Sequence, residues 1–265
     1  MRGSLAGLLI FALITTASLT RLVEAQRSSV SVDSTTVAEQ YLLSAANQER
    51  EARGLGLLHR NPQLAHAAAG HAQVMAAHRS ISHQFAGEAE LTARGASAGV
   101  PFSEISENVG EAPSVVQIHD MWMHSEHHRE NLLDPKVDSV GISVIARGGE
   151  LYAVEDFART VRRTSLQEQE AAIASLMSRA GGLDLASDPE TVLAARRTCS
   201  MSTGYAGSPK PWFVMRFTSD SLTRLPKELT SRMASGRYRQ AAVGACAGTE
   251  RSAFTSYNFA VLLYP

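Results

Sequence analysis

Apolar positions along the chain fall into two helical periodicities followed by two short strand-like runs. From Val37 to Arg53, the positions Val37, Tyr41, Ser44/Ala45 and Gln48 recur at helical spacing. Leu42 and Leu43 widen that apolar face and Gly54 stops it, which predicts a helix. A second helix is expected from Asn61-Pro62 to His78. Asn caps helices well, and Pro at the first helical position lacks only an N–H that would be unpaired anyway. Leu64, Ala68, His71, Met75 and His78 then share one face at spacings of four and three. Ile81-Ser82-His83 leads into a loop punctuated by Gly87, Gly95 and Gly99, followed by Ser103 to Asn108. A third helix is expected from Ser114 to Met123. Val140 to Ile145 and Leu151 to Phe157 read as strands, joined through Gly148-Gly149, a pair suited to a tight hairpin.

The second half has its own punctuation. Arg162 to Glu170 is polar and reads as a linker running into a helix from Ser165 to Arg179, which Gly181-Gly182 ends. Asp188-Pro189 caps another, to about Arg197. Trp212 to Phe217, Ala241 to Ala245 and Tyr257 to Leu263 have strand character, with a short helix after Leu225-Pro226. Residues 161–265 thus read as a small α+β domain, in which the sequence displays neither a repeat nor a catalytic constellation.

The amino terminus changes the picture of where the chain works. Arg2, the apolar run Leu5 to Leu19 and the small-residue site Val23-Glu24-Ala25 have the order of a secretory signal peptide, residues 1–25. That run is about 15 residues, short of the ~20 that span a bilayer. No later segment is long and apolar enough to cross, so no integral membrane protein is expected after processing. Gln26 to Thr36 is Ser- and Thr-rich and reads as a flexible leader. The expected location is extracellular or periplasmic. In an oxidising compartment the only two cysteines, Cys199 and Cys246, are expected to pair, with two buried thiols as the alternative. With 44% hydrophobic and 19% charged residues a packed core is expected, and a net charge of −1 gives no global attraction to nucleic acid or anionic membrane.

All nine His lie between His59 and His128, and three of them stand in Met121 to Leu133 beside Trp122. His83, among glycines, Glu107-Asn108, ahead of a glycine, and His128 are the chemically useful groups. Two imidazoles and a carboxylate can hold a zinc-type cation or act as acid and base. Their separations alone match no ligand spacing, so three unrelated residues pinning loops is the favoured reading at this point.

A family pattern bears on that choice. Asn47 with Arg50, Leu64 through Ala68, His71 and Met75, Ser82-His83, Glu107-Asn108, then Trp122, Ser125, His128-Arg129 and Asn131-Leu132-Leu133, Val140-Gly141 and Asp156-Phe157 occur in that order. Over Val37 to Ala158 the chain resembles the CAP superfamily, the SCP/PR-1-like domain, in its bacterial form. The resemblance implies an α-β-α sandwich over residues 37–160, with a groove of two His and two Glu able to bind zinc. It gives His83, Glu107 and His128 as metal ligands. The place of the second Glu, three residues after Trp122, is held by Ser125, with Glu126 beside it. Glu126 and His124 are therefore further candidates, and the expected Zn2+ site is weak and open. Ser125 is expected to cap the turn holding His128, while Asn108, Trp122 and Arg129 support the site. Members of the superfamily are secreted and linked to sterol or fatty-acid binding, to modulation of hosts or competitors and, in a few cases, to proteolysis. The expectation is a secreted, non-enzymatic binding module for a divalent metal, an apolar ligand or a cell-envelope component. A metal-dependent hydrolase using Glu107 and His128, and an extracellular interaction scaffold, are the alternatives.

Overall fold

Thr36 opens the first helix, α1 (Val37–Glu51), with a reciprocal cap. Its hydroxyl accepts from the Glu39 N–H, and the Glu39 carboxylate accepts from the Thr36 N–H. Leu42, Ala45 and Ala46 are buried along this helix, whereas Val37, Tyr41, Ser44 and Gln48, expected on its apolar face, are exposed: the buried stripe is centred on Leu42 and Ala46 instead. Arg50 is also fully buried. Its guanidinium donates to the carbonyls of Gly56 (2.7 Å), Leu132 (2.9 Å), Asp134 (2.9 Å) and Val137 (3.2 Å), tying α1 to a distant turn. In this computed structural model the described residues are 35–247 and 253–265. The expected signal peptide and residues 26–34 of the leader lie outside them.

A short strand, β1 (His59–Arg60), precedes α2 (Pro62–His78), whose N-cap Asn61 accepts from the Gln63 and Leu64 N–H groups. The other strands of the first sheet are β2 (Phe102–Ala112), β3 (Ser139–Arg147) and β4 (Glu150–Thr160), in the order β1-β3-β4-β2. β1 runs parallel to β3, and the other neighbours are antiparallel. Gly148 and Gly149, at φ 68° and 92°, turn β3 into β4 with the backbone hand that a tight hairpin needs. α2 lies directly on this sheet because Gly141 has no side chain. A Cβ there would sit 2.1 Å from the Leu64 carbonyl carbon. On the opposite face α1, α4 (Val115–His124) and α5 (Glu126–Leu133) bury Leu42, Ile118, Trp122 and Leu132 against Val140 and Phe157. The three layers are those the family resemblance implies.

Two local expectations need correction. The glycine-punctuated loop contains a helix, α3 (Leu91–Ser97). Gly95 costs helix propensity, yet a Cβ at that position would come within 2.7 Å of Ile105 Cδ1, so close packing decides the residue. Ser125 does stand at the N-cap of α5, but its side chain makes no capping hydrogen bond.

The second half supplies α6 (Leu166–Ala180), β5 (Asp184–Leu185), α7 (Pro189–Cys199), β6 (Phe213–Ser219), α8 (Lys227–Met233), β7 (Gln240–Cys246) and β8 (Tyr257–Tyr264). Its sheet has the order β5-β7-β8-β6. Ile173, Met177, Leu229, Phe259 and Val261 build the core on one face. The disulfide Cys199–Cys246, with Cα atoms 5.8 Å apart, joins the end of α7 to the end of β7. The two halves share surface. Val161 belongs to the second core, Phe254 lies edge-on to the buried Phe102 at 5.4 Å, and the Thr255 N–H donates to the Phe102 carbonyl (2.6 Å). Arg159 and Asp220 pair across the junction at 2.8 Å. No helix among the described residues is long and apolar enough to cross a membrane.

Candidate functional site

The antiparallel register of β2 and β4 sets Glu107 opposite Asp156 and Asn108 opposite Glu155. All four are buried. A buried carboxylate needs cationic or donor partners. Glu107 has both: Arg94, from α3, pairs with Oε2, and His83 Nδ1 lies 2.9 Å from Oε1. His71 Nε2 is a further 3.8 Å neighbour of Oε2. Arg94 also donates to the carbonyls of His83 (3.2 Å) and Ala89 (3.1 Å), so the α3 helix fastens the loop that carries His83. Glu88 fastens the same loop from inside, through His71 Nδ1 (2.7 Å) and the Phe85 N–H (3.1 Å). His71 is thus a satisfied core histidine.

His83 is mostly exposed, and its pKa is raised above the ordinary imidazole value, first by the hydrogen bond to Glu107. With Nδ1 engaged, Nε2 has no hydrogen-bond partner among the described residues. His128, half-buried on α5, shifts the other way. Burial lowers its pKa, and the charges of His83 and His127 add to that. The two imidazoles are thus electrostatically coupled. Asn108 positions α5 by donating to the His128 carbonyl (3.0 Å), and Asn131 donates to the Glu107 carbonyl (3.1 Å) and to Asn108 Oδ1 (3.0 Å). Arg129 donates to the Met123 carbonyl (2.9 Å) across the α4–α5 break. Trp122 donates to the Val109 carbonyl (2.9 Å) and covers Gly110, where a Cβ would meet its Nε1 at 3.1 Å.

Of the expected ligand set, His83 and Glu107 are in direct contact, and His128 is linked to them through Asn108 and through charge. Glu107 spends both oxygens on Arg94 and His83. His124 turns to Asp120, whose carbonyl is 2.8 Å from Nδ1, and Glu126 is exposed in the first turn of α5. Among the described residues, no group of three or more His, Cys, Asp or Glu is arranged to hold a metal ion. Arg94, Glu88, Glu155 and Asp156 were not singled out as site residues from the sequence. The adjacent carboxylates Glu155-Asp156 inside an apolar strand were the available signal, because a central strand buries both faces.

Among the described residues, those two carboxylates are strongly perturbed. Burial pushes Glu155 up to about 8, and Asn108 opposes this only in part. Burial also holds Asp156 well above the usual carboxylate range, with Glu107 raising it further and Arg94 acting against. None of their four oxygens has a hydrogen-bond partner among the described residues.

Residues 43–157 match the family model for the cysteine-rich secretory protein family, CAP. That stretch is a CAP domain. Similar solved structures include an extracellular SCP-domain protein from Bacillus anthracis, 27% identical over 46% of this chain and 40% of that one, with a TM-score of 0.43. An outer surface protein of Borrelia burgdorferi is 20% identical over 48% of this chain and 96% of its own, TM-score 0.45. Na-ASP-1 is 8% identical over 89% of this chain and 90% of its own, TM-score 0.46. The match spans about two fifths of the Bacillus protein's length. No curated protein matches the chain.

Proposed function

We propose that the protein is a secreted, non-enzymatic binding module whose CAP groove offers His83 and His128 to a divalent cation of the zinc type. The observation that carries this reading is the 2.9 Å contact between His83 Nδ1 and Glu107 Oε1. A carboxylate on one ring nitrogen fixes the tautomer and presents the other nitrogen as a lone-pair donor, the arrangement found behind metal-ligating histidines. His128, with its lowered pKa, is neutral at pH 7 and fit to ligate. Glu107 then acts behind His83 and is not itself a ligand, so the protein supplies two nitrogens. Bound there, zinc would polarise an oxygen donor of whatever ligand enters the groove.

The hydrolase alternative needs a free general base. Both oxygens of Glu107 are already engaged, by Arg94 and by His83, which leaves neither free to take a proton from water. Export is supported by the signal-like amino terminus, the disulfide and the secreted family.

Zinc titration by calorimetry at pH 7.5 and 5.5 tests the reading. Affinity should fall as pH drops, because protonated imidazole cannot ligate. The raised His83 pKa makes that fall begin above the ordinary imidazole value. His83→Ala and His128→Ala should lose binding, while the exposed His59→Ala and His66→Ala keep it. Wild-type affinity in the double variant His83→Ala/His128→Ala would sink the proposal.

A further inference from the structure

We infer that residues 165–264 are a second copy of the CAP-domain fold, in which apolar side chains have filled the polar positions of the groove. The two halves repeat one order of elements. A 15-residue helix begins each, α1 and α6, and each opens on a reciprocal cap, Thr36 with Glu39 and Ser165 with Glu168. A two-residue strand follows, then a helix entered through an acid or amide cap and a proline, Asn61-Pro62 and Asp188-Pro189. The sheets β1-β3-β4-β2 and β5-β7-β8-β6 have the same connectivity, with a parallel edge pair and two antiparallel pairs in each.

The match extends to individual hydrogen bonds. His59 N–H donates to the Asp138 carbonyl, Asn61 to Val140 and Asp138 to Ala158. Asp184 donates to Arg239, Ala186 to Ala241 and Arg239 to Tyr264, the same three links in the second sheet. These bonds fix the correspondence without reference to side chains. Val140 answers to Ala241, and through the β3–β4 and β7–β8 pairings Phe157 answers to Leu263. The pairings to β2 and β6 carry it one strand further. Glu107 and Asp156 correspond to Val214 and Leu262, and Asn108 and Glu155 to Met215 and Val261.

The faces agree independently of the register. Val214 and Leu262 pack with Ala195 of α7, as Glu107 and Asp156 lie on the α2 side in the first half. Met215 and Val261 pack with Ile173 of α6 and Leu229 of α8, on the face where the first half places α1, α4 and α5. Each half also has a glycine under its second long helix. A Cβ on Gly141 would be 2.1 Å from the Leu64 carbonyl carbon, and one on Gly244 would be 2.2 Å from that of Ala195. Gly244 lies two residues beyond the counterpart of Gly141, on the same face. The helix cap shifts likewise, since Asn61 follows His59 by two residues and Asp188 follows Asp184 by four.

All four buried polar sheet positions of the groove are therefore apolar in the second half, and no His occurs there. The chain offers one groove, and the second copy serves the first as a packed partner through Phe254 and Thr255. The correspondence stands without the zinc reading; the single-groove statement rests on it. A crystal structure of the full chain grown with zinc, with anomalous data at the zinc edge, tests both. The expected result is Val214 opposite Leu262 and Met215 opposite Val261, with one zinc at His83 and His128. Calorimetry on the same protein should give one equivalent per chain, and none in His83→Ala/His128→Ala. A different strand order or register in the second sheet overturns the copy. A zinc held within residues 165–264 overturns the filled groove. Matched registers with no zinc bound uphold the copy and sink only the metal reading.

Discussion

Replacing Glu155 by Gln should make the protein more stable as pH rises, by an amount that the burial of this one carboxyl sets. Glu155 has no exposed surface, and its folded pKa is about 8 against 4.5 for a free glutamate. The folded state therefore binds a proton that the unfolded state releases between those two values. Its contribution is fully present below pH 4.5 and is lost as pH rises to 8. The slope is about 1.4 kcal/mol per pH unit, so the loss is about 3 kcal/mol at pH 7 and approaches 5 kcal/mol above pH 8. Gln keeps the shape and removes the titration. Its amide still needs partners, which adds a pH-independent offset of about 1–3 kcal/mol. The offset is read near pH 4, where wild type carries no Glu155 penalty, and the growth of the difference with pH is the quantity of interest. Urea unfolding followed by circular dichroism from pH 4 to pH 9 measures it. Asp156, raised in the same direction, remains in both proteins and cancels. A difference that stays flat within about 1 kcal/mol across that range would show that Glu155 is ionised in the folded protein, and the argument from burial would fail.

Arg94→Met removes the cation from the buried Glu107 and should cost about 3–5 kcal/mol in chemical denaturation, with Arg94→Lys recovering part of it. Gly141→Ala should destabilise severely, because its Cβ would meet the Leu64 backbone at 2.1 Å; the measurement is a thermal melt, and a near-wild-type midpoint would contradict the close approach of α2. Phe254→Ala should cost about 1–2 kcal/mol by uncovering Phe102, and a chain ending at Thr160 should melt lower than the full protein for the same reason.

Much of the fold was legible because local signals and burial agreed. Asn61-Pro62 and His78 bound α2, and the Gly148-Gly149 turn placed both hairpin strands. α3 was not legible, since its Gly95 signals a loop while only the neighbouring Ile105 and Phe102 explain why glycine stands in a helix. The two-residue strands β1 and β5 are too short for any periodicity. In the site, His83, Glu107 and His128 came from the family pattern, which named them as ligands and gave no hydrogen bond between the first two. The pairing of Glu107 with Arg94 was not legible, because the position of Arg94 is set by α3.

The comparison between the halves gives the buried carboxylates a meaning that neither half gives alone. Val261 and Leu262 occupy the places of Glu155 and Asp156, so the fold itself tolerates an apolar pair there. Retaining two carboxyls with no hydrogen-bond partner in the first half is thus no requirement of the architecture, and it is destabilising near neutral pH. Asp156 lies against Glu107, which holds His83, and Glu155 lies against Asn108, which holds the His128 backbone. Each costly group therefore backs a residue that positions one of the two imidazoles. Glu155→Val, which copies the second half, should therefore stabilise the protein above pH 8 while loosening the Asn108 link to α5. Zinc affinity at fixed pH should then fall even as the melting temperature rises. A variant that gains stability and keeps full zinc affinity would separate the carboxyl from the groove.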